Sequence, residues 1–244
     1  MPITPHHHKI PVIESDRGPK LAYELIRSSN IATICTLDSE TGYPLCSLVN
    51  MAAHYDGRPL FYFSNLSLHT RNILVNPKVS LLISPSGSSE LPRTVRISLV
   101  GQVDLVEDDG GDFKRRYIEY NPQMASYPTV PGFHFFVMTI EAVHLIDGAG
   151  GPTDINVSDL INSDRIECES LEASIITEKL GSRSSLLLNA MVASRNISNN
   201  DNVELVAVRK DGMLLRFGGK HLFLSSDEAL DSVDKVLDFV GWFG

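Results

Sequence analysis

Apolar residues at Leu21, Ala22, Leu25 and Ile26 recur at helical spacing in LAYELIRSSN, which predicts an amphipathic helix of about three turns. Ser15 or Asp16 can cap its start. A period of two then takes over. IATICTLD alternates into a turn at Ser39-Glu40-Thr41-Gly42, and PLCSLVNMAAHY runs into Asp56-Gly57, a strong hairpin signal. RPLFYFSN, KVSLLISP, the long TVRISLVGQVDLVE and HFFVMTIEAVHLID continue the strand series. Two helical pieces interrupt it. LHTRNILVN offers Leu68, Ile73 and Leu74 to the core, and DGGDFKRRYIEYNPQMASY precedes the last strand, which ends near Asp147. Strands this close, joined mostly by short turns, predict an antiparallel barrel rather than βαβ units.

A Gly/Pro stretch, GAGGPTD, follows and reads as a linker. Residues 165–180 and 183–195 read as two helices with Gly181 between them. NVELVAVRKDGMLLRFGGKHLFLS gives two or three strands, with turns at Asp211-Gly212 and Gly218-Gly219. SSDEALDSVDKVLDFVGWF closes the chain as a helix. Ser226 can cap it, and Leu230, Val233, Val236, Leu237 and Val240 form its apolar face. The fold class expected is α+β: an irregular arm at 1–14, a barrel domain at 15–148, a linker at 149–164 and a smaller α+β domain at 165–244.

Composition narrows the function classes. The 244 residues are 43% hydrophobic and 21% charged, ordinary for a soluble globular protein. A net charge of -9 argues against wide nucleic-acid binding, which requires many cations. No apolar run reaches the roughly 18 residues of a membrane span, and the N-terminal segment lacks the apolar core of a signal peptide. The expectation is a cytoplasmic protein with neither membrane nor nucleic-acid partners. Cys35, Cys46 and Cys168 are odd in number and form no C-x-x-C, so they read as buried free thiols in a reducing compartment. The run His6-His7-His8 reads as an adventitious metal binder.

The stretch most able to carry chemistry is FYFSNLSLHTRNILVNPKVSLLI, residues 61–83. A strand ends at Ser64-Asn65, and a short loop delivers His69, Thr70 and Arg71 to the start of a helix. Helix N-termini carry unpaired N–H groups and partial positive charge, so these side chains can complete a cradle for one phosphate. The same residues also serve as helix caps and a solvated cation. Lys114, Arg115 and Arg116 with Tyr117, Tyr120 and Tyr127 form a basic-aromatic patch, read as the solvated face of an amphipathic helix. Asp104, Glu107, Asp108 and Asp109 read as a solvated turn, and His134 and His221 as isolated core or surface residues.

F-x-S-N followed by x-N-I-L-x-N-P-K-V-S-L-L resembles the flavin-phosphate segment of the pyridoxamine 5'-phosphate oxidase-like split-barrel superfamily. TGYPLCSLVNMA (41–52) and VRISLVGQV (95–103) resemble its flanking strands. The resemblance implies a homodimer with flavin mononucleotide (FMN) at each subunit interface. It puts Ser47 on the strand facing the flavin and Ser64 and Asn65 at the phosphate or ribityl chain. His69, Thr70 and Arg71 face the phosphate, and Arg96 and Ser98 the far side of the flavin. SLVNMAAHYDGRPLFYFSNLSLHTRNILVNPKVSLLI resembles most the heme-utilisation (HugZ/HutZ-type) branch, which often appends a C-terminal α+β domain and whose members bind or degrade heme. That branch's ligand histidine would fall near Thr153 and Asp154, where this chain has none; His144 lies in the preceding strand. The C-terminal W-R-x-R-P clamp of the vitamin-B6 oxidases is also missing.

Three functional expectations follow. The first is an FMN-binding split barrel, a flavin-dependent oxidoreductase with no catalytic residue nominated. The second is a heme-binding or heme-degrading protein, with His69, His134 and His144 as the barrel's ligand candidates. The third is a cofactor-free binding module, whose partner surface is the C-terminal domain with net charge -6 (9 Lys+Arg, 15 Asp+Glu over 151–244).

Overall fold

The computed structural model describes residues 17–85, 94–107, 111–126, 131–147, 152–161, 173–181, 184–195 and 202–243. Ser15, Asp16, the His6–His8 run, Asp108, Asp109, Tyr127 and Cys168 lie outside them. The described residues open with helix α1 (Arg17–Arg27), then strands β1 (Ile31–Leu37), β2 (Pro44–Asn50), β3 (Ala52–Ala53) and β4 (Pro59–Ser64). Helix α2 (Leu68–Val75), β5 (Lys78–Ile83), β6 (Arg96–Val106), α3 (Asp112–Tyr120), β7 (Phe133–Ile146) and β8 (Thr153–Ile155) complete the barrel. One antiparallel sheet runs β2-β1-β5-β6-β7-β4-β3.

β7 is where the barrel splits. One of its edges carries β6 along nearly its full length. The other carries β4 at Phe133–Val137 and β8 at Val143–Leu145. The β6–β7 register shifts between Val100 and Gly101. A Cβ on Gly101 would lie 2.0 Å from the Thr139 carbonyl oxygen, so the bulge requires glycine there.

Alternation decides which residues face in. Ala32, Ile34, Leu81, Ile83, Ile97 and Leu99 are buried, while Thr33, Ser80, Leu82 and Ser98 face out. Phe61 and Phe63 stack at 5.0 Å between ring centroids within the barrel core. The stretch expected to be a linker carries β8 and a short 3-10 turn that buries Leu160 in the barrel core.

Two expectations fail in detail. On α2 only Ile73 of the three expected core residues is buried, and Leu68 and Leu74 are exposed. The helix is rotated so that Asn72 can donate to Thr36 Oγ1 at 3.0 Å inside the protein, which leaves Leu74 and Val75 outside. The basic face of α3 is solvated only in part: Arg115 is exposed, but the residues beside it are not. Arg116, Tyr117 and Tyr120 are buried, because Arg116 donates to the Ala53 carbonyl, the Glu119 carboxylate and the Tyr120 hydroxyl.

The C-terminal domain comprises α4 (Ala173–Leu180), α5 (Ser184–Ala193), β9 (Glu204–Arg209), β10 (Gly212–Phe217), β11 (Lys220–Ser225) and α6 (Val233–Gly241). α6 starts later than expected, capped by Ser232 rather than Ser226. The three-stranded sheet uses both faces. Ala207, Leu214 and Phe223 join the barrel core, and Leu205, Val208, Met213, Leu215 and Leu224 pack against Ile176, Met191, Val236 and Val240.

Buried ions rim the joint between the domains. Arg27 pairs with Asp211 at 3.2 Å, and Glu119 accepts from Arg116 at 2.7 Å and Arg209 at 2.6 Å. Glu24 takes Arg195 at 2.7 Å and the Ser225 hydroxyl at 2.6 Å. Among the described residues, no helix is long and apolar enough to cross a membrane.

Candidate functional site

The expected phosphate cradle is built by the end of β4, a tight loop and the first turn of α2. Asn65 N–H donates to the Gly132 carbonyl at 2.8 Å, and the Leu66 N–H donates to Ser64 Oγ at 3.2 Å. The Ser67 cap makes no side-chain hydrogen bond, so the first N–H groups of α2 retain donor capacity. Thr70 is fully buried, and its hydroxyl has no partner among the described residues. Arg71 Nη2 donates to the Leu66 carbonyl at 2.9 Å, which folds its charge onto the loop. His69 packs edge-on against Phe63, and burial lowers its pKa, so it is neutral at pH 7.

A second constellation lies on the outer face of the sheet. The register aligns Thr33 with Leu48 and Leu82, Leu82 with Ser98, Ser98 with His144, and His144 with Asp154. The His144 Nδ1–H donates to Asp154 Oδ1 at 2.5 Å, with both side chains half exposed. A carboxylate on Nδ1 fixes that tautomer and leaves the Nε2 lone pair for a ligand. Arg96 lies two residues along β6 from Ser98 on the same face, and its Nη1 donates to the Thr94 carbonyl at 3.2 Å.

Ser64, Asn65, His69, Thr70 and Arg71 therefore come together, but the other expected site residues do not join them within one chain. Ser47 pairs with the buried Ile34 and faces the interior side of β2, whereas Ser98 pairs with Leu82 on the outer side. The bond from Asn72 ties α2 to β1 at Thr36, next to Cys35, which aligns through Ser80 with Val100. Arg96 is four residues beyond Val100, roughly 13 Å of strand. The sequence reading missed Asp154, because it fell in the expected linker; the only signal was the β-branched pair Thr153 and Ile155 flanking it. Of the other ligand candidates, His134 has Asn65 Nδ2 at 3.3 Å from its Nε2. Among the described residues, no cluster of three or more His, Cys, Asp or Glu side chains could hold a metal ion.

The family model described as CREG, beta-barrel matches residues 14–162, the segment that contains both constellations. The chain belongs to the CREG β-barrel family. It is 35% identical over 109 residues to the chloroplast heme oxygenase HOZ of Arabidopsis thaliana, a match covering 44% of this chain and 33% of that protein's length. It thus spans about a third of that relative. The fold of Atu2129, a protein of unknown function from Agrobacterium tumefaciens, aligns with a TM-score of 0.70 at 21% identity, covering 96% of this chain and 100% of that one. A heme binding protein from Mycobacterium smegmatis aligns with a TM-score of 0.56 at 20% identity, covering 93% and 95%. The expected split barrel with an appended α+β domain is borne out by these matches.

Proposed function

We propose that this protein binds heme on the outer face of its barrel, with His144 as the iron ligand. The observation that carries this reading is the His144–Asp154 pair, held at 2.5 Å across β7 and β8. The other two candidates are less suited: His69 is packed against Phe63, and His134 already meets Asn65. The identity shared with a plant heme oxygenase supports heme as the group bound.

The residues present fit the group. Asp154 orients the imidazole and fixes the tautomer that keeps the Nε2 lone pair for a ligand, as outer-shell carboxylates do for ligating histidines. Leu48 and Leu82, both exposed, would give the macrocycle an apolar floor, and Ser98 and Arg96, on the same face, would offer hydrogen-bond donors to its carboxylates. Bound heme would supply iron redox and oxygen chemistry. The chain's part is to hold it, set its orientation and tune its ligand.

The outer surface also supports a homodimer. Leu48, Leu66, Leu74 and Val75 are 76%, 82%, 59% and 69% exposed, a large apolar area for a lone chain to leave in water. A second copy seated on Leu48, which aligns with Thr33 on the sheet's outer face, would enclose a ligand lying on that face.

A second reading has its own observation. The buried, unpartnered Thr70 hydroxyl beside the uncapped start of α2 favours a phosphate there, which is the FMN expectation. It ranks second because Arg71, the one arginine or lysine of α2, is engaged by its own loop. Absorption spectra of the purified protein with hemin and with FMN separate the two. A stoichiometric Soret shift with hemin, and an FMN spectrum unchanged from free flavin, is expected. Tight FMN binding without a specific Soret shift overturns the order.

A further inference from the structure

Cys35 and Cys46 are directly opposed on β1 and β2. Which kind of antiparallel pair they form follows from the bonds at each end of the ladder. Met51 N–H donates to the Asn30 carbonyl at 2.9 Å, and Asp38 N–H donates to the Tyr43 carbonyl at 2.9 Å. Hydrogen-bonded and non-hydrogen-bonded pairs alternate in such a ladder. Counting from Asn30 or from Asp38 puts Cys35–Cys46 in a non-hydrogen-bonded pair. Pro44, which has no N–H to give, occupies another such pair opposite Leu37, as the count requires.

Non-hydrogen-bonded partners have Cα atoms about 4.5 Å apart with side chains on the same face. That separation falls inside the range of roughly 4.4–6.8 Å that a disulfide spans. Both thiols are free, Cys46 is exposed and Cys35 half-buried, and the two thiols are hydrogen-bonded to each other. Of the thiols expected to be buried, Cys46 is exposed on the edge strand β2 and Cys35 lies half-buried opposite it on β1.

We infer that Cys35 and Cys46 are a redox-sensitive site, closed by a peroxide into a reversible cross-strand disulfide that staples the edge strand β2 to β1. The exposed Cys46 acts first. Its thiolate sulfur attacks one peroxide oxygen, the O–O bond breaks, and a sulfenic acid and a hydroxide form; the hydroxide takes up the proton the thiol had released and leaves as one water. The Cys35 sulfur then attacks the Cys46 sulfur, the S–O bond breaks, and the departing hydroxide takes the Cys35 proton as a second water. Two electrons pass from the two sulfurs to one peroxide. Burial, with the hydrogen bond to Cys46, pushes the Cys35 thiol up to about 11, which fits it to resolve rather than initiate.

The test is a mass measurement on the full-length protein. Hydrogen peroxide is added in modest excess, free thiols are blocked under denaturing conditions, and the digest is mapped without reduction. The expected result is a loss of two hydrogens, one linked peptide pair holding Cys35 and Cys46, and full reversal by dithiothreitol. Cys35→Ser should leave a Cys46 sulfenic acid that dimedone traps, and Cys46→Ser should leave Cys35 alkylatable after peroxide. The inference is overturned if both thiols alkylate as fully after peroxide as before. A bridge through Cys168, or over-oxidation of Cys46 with Cys35 intact, overturns it equally.

Discussion

Lowering the pH from neutral should loosen the joint between the barrel and the C-terminal domain through His221. This side chain is 8% exposed and stacks on Tyr120 with 5.4 Å between ring centroids. Burial first, then the charge of Arg216 and that of Arg116, push its pKa down to about 4; the Glu119 carbonyl and the Glu204 carboxylate oppose the shift without cancelling it. In the unfolded chain the imidazole titrates near its ordinary value of 6.5. Between these values the unfolded state binds a proton that the folded state refuses, so stability falls as pH falls. The contribution is complete above pH 6.5 and gone below pH 4. Each unit is worth about 1.4 kcal/mol, giving a loss of about 3 kcal/mol across the window. Urea unfolding at stepped pH measures it, read as the difference between the wild type and His221→Phe, since carboxylates elsewhere titrate alike in both. The variant should show the shallower pH dependence over this range. Parallel curves would refute the reasoning and mean that water or a local opening reaches the ring.

Glu119→Gln strands Arg116 and Arg209 without their shared carboxylate and should cost about 3–5 kcal/mol in the same urea assay, the scale of breaking a buried ion pair. Gly101→Ala puts a methyl against the Thr139 carbonyl at the β6–β7 bulge and should cost about 3 kcal/mol, with a lowered melting temperature as the check. Leu74→Asp places a charge on the exposed apolar side of α2. If the proposed homodimer uses this side, light scattering should then report a dimer for the wild type and a monomer for the variant, and an unchanged mass would move the interface elsewhere.

The barrel was legible because its strands advertise themselves. Period-two alternation in IATICTLD and KVSLLISP, and the turns at Gly42 and Gly57, each in left-handed backbone, set the order of elements before any coordinates. β8 was not legible: three residues are too few to show a period, and a preceding Gly/Pro stretch reads as linker. Its absence from the sequence reading hid the partner of His144. The role of Arg116 was hidden for another reason. An arginine on an amphipathic helix reads as solvated unless something distant buries it, and here Arg209 and Glu119 meet only when the C-terminal sheet packs on the barrel. The phosphate cradle was legible as a segment, but not the engagement of Arg71 by its own loop.

The central claim, heme held by His144 on the sheet's outer face, is tested most directly by titrating hemin into the wild type and His144→Ala and following the Soret band. The wild type should saturate at one heme per chain with the spectrum of a histidine-ligated iron, and the variant should lose that spectrum while keeping its fold by circular dichroism. Identical titrations of the two proteins would contradict the account.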